Sequence, residues 1–203
     1  MHVEVSLLTA DPDRFEDALS YIERDARPLV EDQPGSRGAS LIANDELAVA
    51  VASWFWVSGD AMRESEKTVS AIYSEEVKRG AGTVSVEHFQ VASYVQVKRP
   101  QAGAGVRLTR MDTQPPRIDE AITAYEDVAL PWLTESEGFV GAGLYVHRRT
   151  GRSILETIWL DAQALAASRK AATAIRVDMV SATESEIRAV EEYRLVFNTV
   201  RSA

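Results

Sequence analysis

Apolar and polar residues alternate along this chain with two different periods, and the changes of period mark out the elements. Residues 3–8 form a short apolar stretch that predicts a strand. Phe15, Ala18, Leu19, Ile22, Ala26, Leu29 and Val30 then recur at three- and four-residue spacing, the mark of one apolar helix face. Asp11-Pro12 offers that helix an N-cap and a proline at its first position. Pro28 lies late in the helix and is expected to bend or end it, and Pro34-Gly35 marks the turn out. Two apolar runs, residues 37–43 and 47–57, flank Asn44-Asp45-Glu46 and predict a hairpin. Ser58-Gly59-Asp60 caps a second, more polar helix to about residue 79, which Gly80-Ala81-Gly82 stops. Residues 83–98 alternate and are rich in valine, which predicts a long strand, bent or bulged.

The pattern then begins again. Pro28, Gly35, Gly38, Ala39, Leu41 and Trp56 recur as Pro131, Gly138, Gly141, Ala142, Leu144 and Trp159. The offset is constant, 131 − 28 = 103 and 159 − 56 = 103, which predicts an internal duplication. Residues 106–111 predict the first strand of the second copy, and Ile118, Ala121, Ile122, Tyr125, Ala129, Trp132 and Leu133 its first helix face. Residues 139–146 and 153–160 form its hairpin, residues 162–175 its second helix and residues 186–200 its last strand. Residues 1–99 and 106–203 are therefore read as two units, joined by a linker of alanine, glycine and proline at residues 100–105. Each has the ferredoxin-like order β-α-β-β-α-β. Two helices cover only one face of such a sheet, and the other face needs a partner. The expected fold is α+β, the two tandem units packing antiparallel sheets into one intramolecular α/β barrel.

Composition narrows the function. Of 203 residues, 45% are hydrophobic, enough for a sizeable core, and the net charge of −9 disfavours a phosphate backbone as partner. The absence of cysteine removes thiolate nucleophiles, disulfides and Cys-ligated metals. No apolar run approaches the roughly 18 residues of a membrane helix, and residues 1–10 lack a signal-peptide pattern, so a cytoplasmic protein is expected.

In each half a strand ends in tryptophan and leads directly into the second helix: Trp56-Val57-Ser58-Gly59-Asp60 and Trp159-Leu160-Asp161-Ala162-Gln163. Together with the upstream Pro-x6-Gly-x2-Gly-Ala segment, this resembles the antibiotic biosynthesis monooxygenase (ABM) type of dimeric α/β-barrel domain, present twice over nearly the whole chain. The resemblance implies a pocket between sheet and helices for a flat aromatic molecule. It also implies activities such as cofactor-free oxygenation of polyketide-like phenols, haem degradation or isomerisation. Haem-degrading relatives place an axial histidine on the second helix. Residues 60–79 and 162–176 contain none, which counts against haem, and no cofactor is expected.

Trp54, Trp56 and Trp159 are the expected ligand-binding residues; the same side chains also fit as plain filler between helix and sheet. His88, Glu156 and Tyr94 are the catalytic candidates. His88 titrates near neutral pH, but no histidine pair stands at metal-ligand spacing, so no metal is expected. Glu156 alternates with Ile154 and Ile158 in an apolar strand, where a carboxylate must be protonated or paired, for instance with Arg194. Asn44, Tyr73, Tyr193, Asn198 and Arg149 complete the polar groups able to activate a phenol, and Arg148-Arg149 with Arg152 read as a solvated hairpin turn. Three functions stay open: a cofactor-independent monooxygenase acting on a small aromatic molecule, a non-catalytic module that binds a small hydrophobic ligand, and an assembly role. A homodimer of the fused pair is a further expectation.

Overall fold

Residues 1–201 are described by the computed structural model, and the expected order of elements occurs in it twice. The first set is β1 (His2–Thr9), α1 (Phe15–Tyr21), α2 (Arg27–Glu31), β2 (Ser36–Asn44), β3 (Val49–Trp56), α3 (Gly59–Glu64), α4 (Glu66–Gly80) and β4 (Thr83–Gln96). The second is β5 (Gly105–Asp112), α5 (Ile118–Ala124), α6 (Leu130–Glu135), β6 (Phe139–His147), β7 (Arg152–Trp159), α7 (Ala162–Thr183) and β8 (Glu186–Asn198). The eight strands are hydrogen-bonded in the order β1-β3-β2-β8-β5-β7-β6-β4, a closed antiparallel barrel. Two compact units make up the chain, Met1–Phe89 with the segment from Arg194 onward, and Gln90–Tyr193. The unit boundaries thus fall inside β4 and β8, and Gly105 opens β5 opposite Trp159.

Pro28 does not end its helix. Proline has no N–H to give to the carbonyl four residues back, and its ring crowds that carbonyl. The helix answers by widening. A π-helical turn, Ile22–Ala26, separates α1 from α2, and the Arg27 N–H donates to the Ile22 carbonyl five residues back. The same device precedes Pro131, where Tyr125–Ala129 is π-helical and the Leu130 N–H donates to the Tyr125 carbonyl. The second helix also departs from expectation. It breaks at Ser65 in the first unit, between α3 and α4, but runs unbroken to Thr183 in the second. Alanine surrounds the equivalent Ser168, whereas Thr68 and Val69 follow Ser65, and alanine is the better helix former.

The repeated glycine and tryptophan segments build one joint. Gly35 and Gly138 both take φ +79°, and a Cβ on either would stand 2.6 Å from the Cβ of Ala61 or Ala164. Each glycine carbonyl accepts from the residue after the tryptophan, Val57 at 2.8 Å and Leu160 at 2.7 Å. Ser58 and Asp161 then cap the helices, accepting from Ala61 at 3.2 Å and Ala164 at 2.8 Å. The duplicated motif therefore holds the first residues of a helix against the turn that follows the preceding one.

Each unit buries its own helix-facing core. Trp54 and Trp56 lie in the first, with Leu19, Ile22, Val69 and Ile72. Trp159 and Leu155 lie in the second, with Tyr125, Leu133, Leu165 and Met179. Alternation along β7 sends Ile154, Glu156 and Ile158 to the opposite face of the sheet.

Candidate functional site

A cavity of about 30 Å³, room for roughly two waters, opens between sheet and helices in the second unit. Trp132, Trp159, Leu155, Ile175 and Met179 form its apolar wall; Arg107, Arg176, Thr109 and Thr157 form its polar end. Trp132 and Trp159 are tilted by 53° with ring centroids 6.2 Å apart, and Phe139 meets Trp159 edge-on at 5.9 Å. A second cavity of about 20 Å³ lies beyond Leu155 and Met179, which line both, and is bounded by Ile118, Ile122 and Tyr125. The Tyr125 hydroxyl is fully buried without a hydrogen bond of ordinary geometry. Burial pushes its phenol up to about 12, against a smaller pull from the nearby Ser93 hydroxyl, so it keeps its proton and remains a donor.

Charge at the polar end is positive. Arg107 is 2% exposed and held rigidly: it donates to Ser168 at 2.9 Å, to the Leu165 carbonyl at 3.0 Å and to Glu192 at 2.8 Å. Arg169 approaches the same Glu192 carboxylate from outside, at 2.5 Å. Hydrogen bonds from Arg169 hold the Glu192 carboxyl below the usual range, with Arg107 adding to the effect. Arg176 donates to Thr173 at 2.8 Å. Burial lowers its pKa, and repulsion from Arg107 adds to that.

The equivalent place in the first unit holds a buried indole and a buried carboxylate. Trp54 sits opposite Glu4 as Thr157 sits opposite Arg107, so the two pairs occupy matching register positions. Where Thr157 leaves space, the Trp54 indole is completely buried. One consequence is visible at the next tryptophan. Trp159 Nε1 donates to Thr157 at 3.1 Å, whereas Trp56 Nε1 and Trp54 Nε1 have no acceptor. Glu4 accepts from the Tyr73 hydroxyl and meets His88 Nε2 at 2.9 Å. The hydrogen bond to Glu4 raises the His88 pKa, although that side chain is 55% exposed. Burial raises the Tyr73 phenol far above its ordinary value, and the Glu4 charge adds to it. Nearby, Glu76 is completely buried with both carboxylate oxygens unpartnered, and desolvation followed by the Glu4 charge pushes it up to about 8.

Glu156 is not paired with Arg194, which is held by Asp45 at 2.6 and 2.7 Å. Its partner is the Tyr145 hydroxyl at 3.3 Å, on the sheet face away from the helices. Tyr145 reaches it by folding back over Gly143, where a Cβ would stand 2.5 Å from the phenol oxygen. Desolvation pushes Glu156 up to about 7, with the Tyr145 hydrogen bond opposing. Tyr94 pairs across the strands with Gly143, and Gly143 with Glu156, so Tyr94 and Glu156 share one row of the sheet.

Tyr94 and Glu156 thus share a row in the second unit, His88 meets Glu4 in the first, and none of the three lines the second-unit cavity; of the three tryptophans singled out, only Trp159 does. Sequence reasoning passed over Arg107, Arg176, Glu4 and Glu76, and read Tyr125 only as part of a helix face. The signal was available as a break in the repeat: at offset 103, Glu4 becomes Arg107, Tyr73 becomes Arg176, Trp54 becomes Thr157 and Glu76 becomes Met179. Among the described residues, no three of His, Asp and Glu gather as metal ligands, and no helix is long and apolar enough to cross a membrane.

No family model matches the sequence. The uncharacterised protein Rv2558 of Mycobacterium tuberculosis is 24% identical over 202 residues, covering 99% of this chain and 86% of that protein. Among solved structures, an anthrone oxidase-like protein superposes with a TM-score of 0.72 at 15% identity, over 97% of this chain and 92% of its own. An uncharacterised ferredoxin-fold protein of Listeria monocytogenes, related to antibiotic biosynthesis monooxygenases, gives a TM-score of 0.52 at 10% identity, over 96% and 95%.

Proposed function

We propose that this chain, which has the fold of the antibiotic biosynthesis monooxygenase-like dimeric α/β barrels, is a monooxygenase-like enzyme acting on a small aromatic molecule held in its second unit. The observation that carries this reading is the helix–sheet cavity, walled by Trp132 and Trp159 and open where the first unit is filled by Trp54. Aromatic walls favour a flat ring by stacked and edge-on contact. The Tyr125 hydroxyl, buried without a hydrogen bond of ordinary geometry, supplies a donor for a ligand oxygen at the far end. Seating even one ring requires Met179, which lines both cavities, to move; an unbranched thioether does so more easily than a branched side chain.

The reaction that fits is oxidation of an activated ring carbon. A CH2 group loses a proton, the carbanion passes electrons to dioxygen, and one oxygen atom stays as a carbonyl while the other leaves in water. Arg107, Arg176 and Tyr125 are the guanidinium and phenol groups lining the cavities, and the buried Tyr125 phenol keeps its proton. Their contribution is to stabilise the substrate's anion while its proton passes to solvent. An oxygen electrode with a panel of anthrones and hydroquinones should record uptake by the wild type. Thr157→Trp, which places an indole where the first unit has one, should abolish it. No uptake with any member of the panel would overturn the oxygenase reading.

A second reading is that the same cavity binds an aromatic metabolite without turning it over. It is favoured by the lining itself, which includes neither a carboxylate nor a histidine among the described residues. Binding that Thr157→Trp removes, without oxygen uptake, is the result this reading expects.

A further inference from the structure

We infer that the second-unit cavity selects an anionic aromatic ligand, a ring carrying an ionised oxygen seated at Arg176 and Arg107. This deepens the aromatic reading above and rests on it. The first support is charge count. Three guanidinium groups, Arg107, Arg169 and Arg176, gather around one carboxylate, Glu192, and two of them donate to it directly. The second is placement. Arg107 and Arg176 line the cavity, whereas Arg169 is 63% exposed and faces Glu192 from outside. The third is rigidity. Ser168 and the Leu165 carbonyl hold Arg107 so that its charge is present before any ligand arrives, and no reorganisation is needed to meet an anion.

Contrast with the first unit sharpens the point. The positions of Arg107 and Arg176 hold Glu4 and Tyr73 there, and Glu76 stands in the place of Met179. One copy of the fold therefore has a carboxylate and a phenol where the other has two guanidinium groups. An anion is repelled from the first and drawn to the second. Thr109 and Thr157 add hydroxyls at the cationic end, and Trp132 and Trp159 add ring faces beside it. A compact oxyanion bound between two guanidinium groups, with its ring against indole, matches each of these features.

The probes are 2-naphthoate and its neutral isostere 2-naphthalenemethanol, with binding followed by tryptophan fluorescence and calorimetry on the full chain. Wild type should bind the carboxylate at least about tenfold more tightly, a difference that salt reduces. Arg176→Met should erase that preference by weakening the carboxylate alone, and Arg176→Lys should restore part of it. Thr157→Trp should block both probes, and thermal melts of all variants check that they remain folded. Equal binding of the two probes by the wild type overturns the charge inference while leaving the aromatic cavity standing. A preference that survives Arg176→Met also overturns it, because the anion is then held elsewhere. If neither probe binds, the aromatic reading fails and the inference fails with it.

Discussion

At the residue scale, Glu76 is a side chain whose burial is costly. Its carboxyl is buried without a partner, beside the Glu4 charge, and in the folded protein releases its proton only near pH 8. An unfolded glutamate releases it near 4.3. Between these values the folded state holds a proton that the unfolded chain has lost, so raising the pH favours unfolding by about 1.4 kcal/mol per unit. Below the lower value both states are protonated and the cost vanishes; above the upper value it is constant. Glu76→Gln should therefore match the wild type in urea melts near pH 4.5 and exceed it by a growing margin up to pH 8. A margin that does not change with pH would show that Glu76 is not the group responsible. The indoles teach a related lesson: Trp159 satisfies its N–H because residue 157 is a threonine, and Trp56 does not because residue 54 is a tryptophan.

At the element scale, the glycine that follows the first helix of each unit explains most of the repeated motif. Gly35 combines a positive φ with contact against Ala61, two separate reasons to exclude a side chain. Gly35→Ala should cost about 2 to 4 kcal/mol in thermal or urea unfolding, from backbone strain plus overpacking. Adding Ala61→Gly removes the contact but leaves the strained backbone, so the double variant should recover only part of the loss. Full recovery would mean that φ carries no penalty. Helix continuity past Pro28 and Pro131 has a similar local cause. A residue without an N–H forces the wide turn, and in the second unit that turn begins with Tyr125, which lines the distal cavity. The proline was legible in the sequence; its consequence was not, because a kink, a stop and a π turn all answer the same missing hydrogen bond.

At the scale of the whole molecule, the first unit is not a continuous piece of chain. Ser40–Ala43 of β2 pair with Arg194–Asn198 of β8, Thr199 donates to the Ala39 carbonyl at 2.8 Å, and Arg194 binds Asp45. A fragment of residues 1–99 lacks all of these partners and leaves β2 as an open edge. It should fail to give a stable monomer, appearing by light scattering and circular dichroism as an associated or unfolded species. A folded, monomeric 1–99 fragment would show that the β8 segment is dispensable.

The sequence by itself determined the fold class, the order of the elements and the sides of the strands on which Trp54, Trp56 and Glu156 fall, with Glu156 set against an apolar face that asks for a partner. Those properties are written locally. Period, cap and turn residues each act within a few positions of one another, and the constant offset of 103 shows the whole set twice. Tertiary structure decided which of the two equivalent places is open, and with what charge. That depends on side chains from β5, β7, α6 and α7 meeting at one spot, with Ser168 fixing Arg107 and Thr157 standing where Trp54 stands in the other copy. Arg107 reads as an ordinary exposed cation until its carbonyl, hydroxyl and carboxylate partners are in place, because burial of a charge is a property of the neighbours and not of the residue.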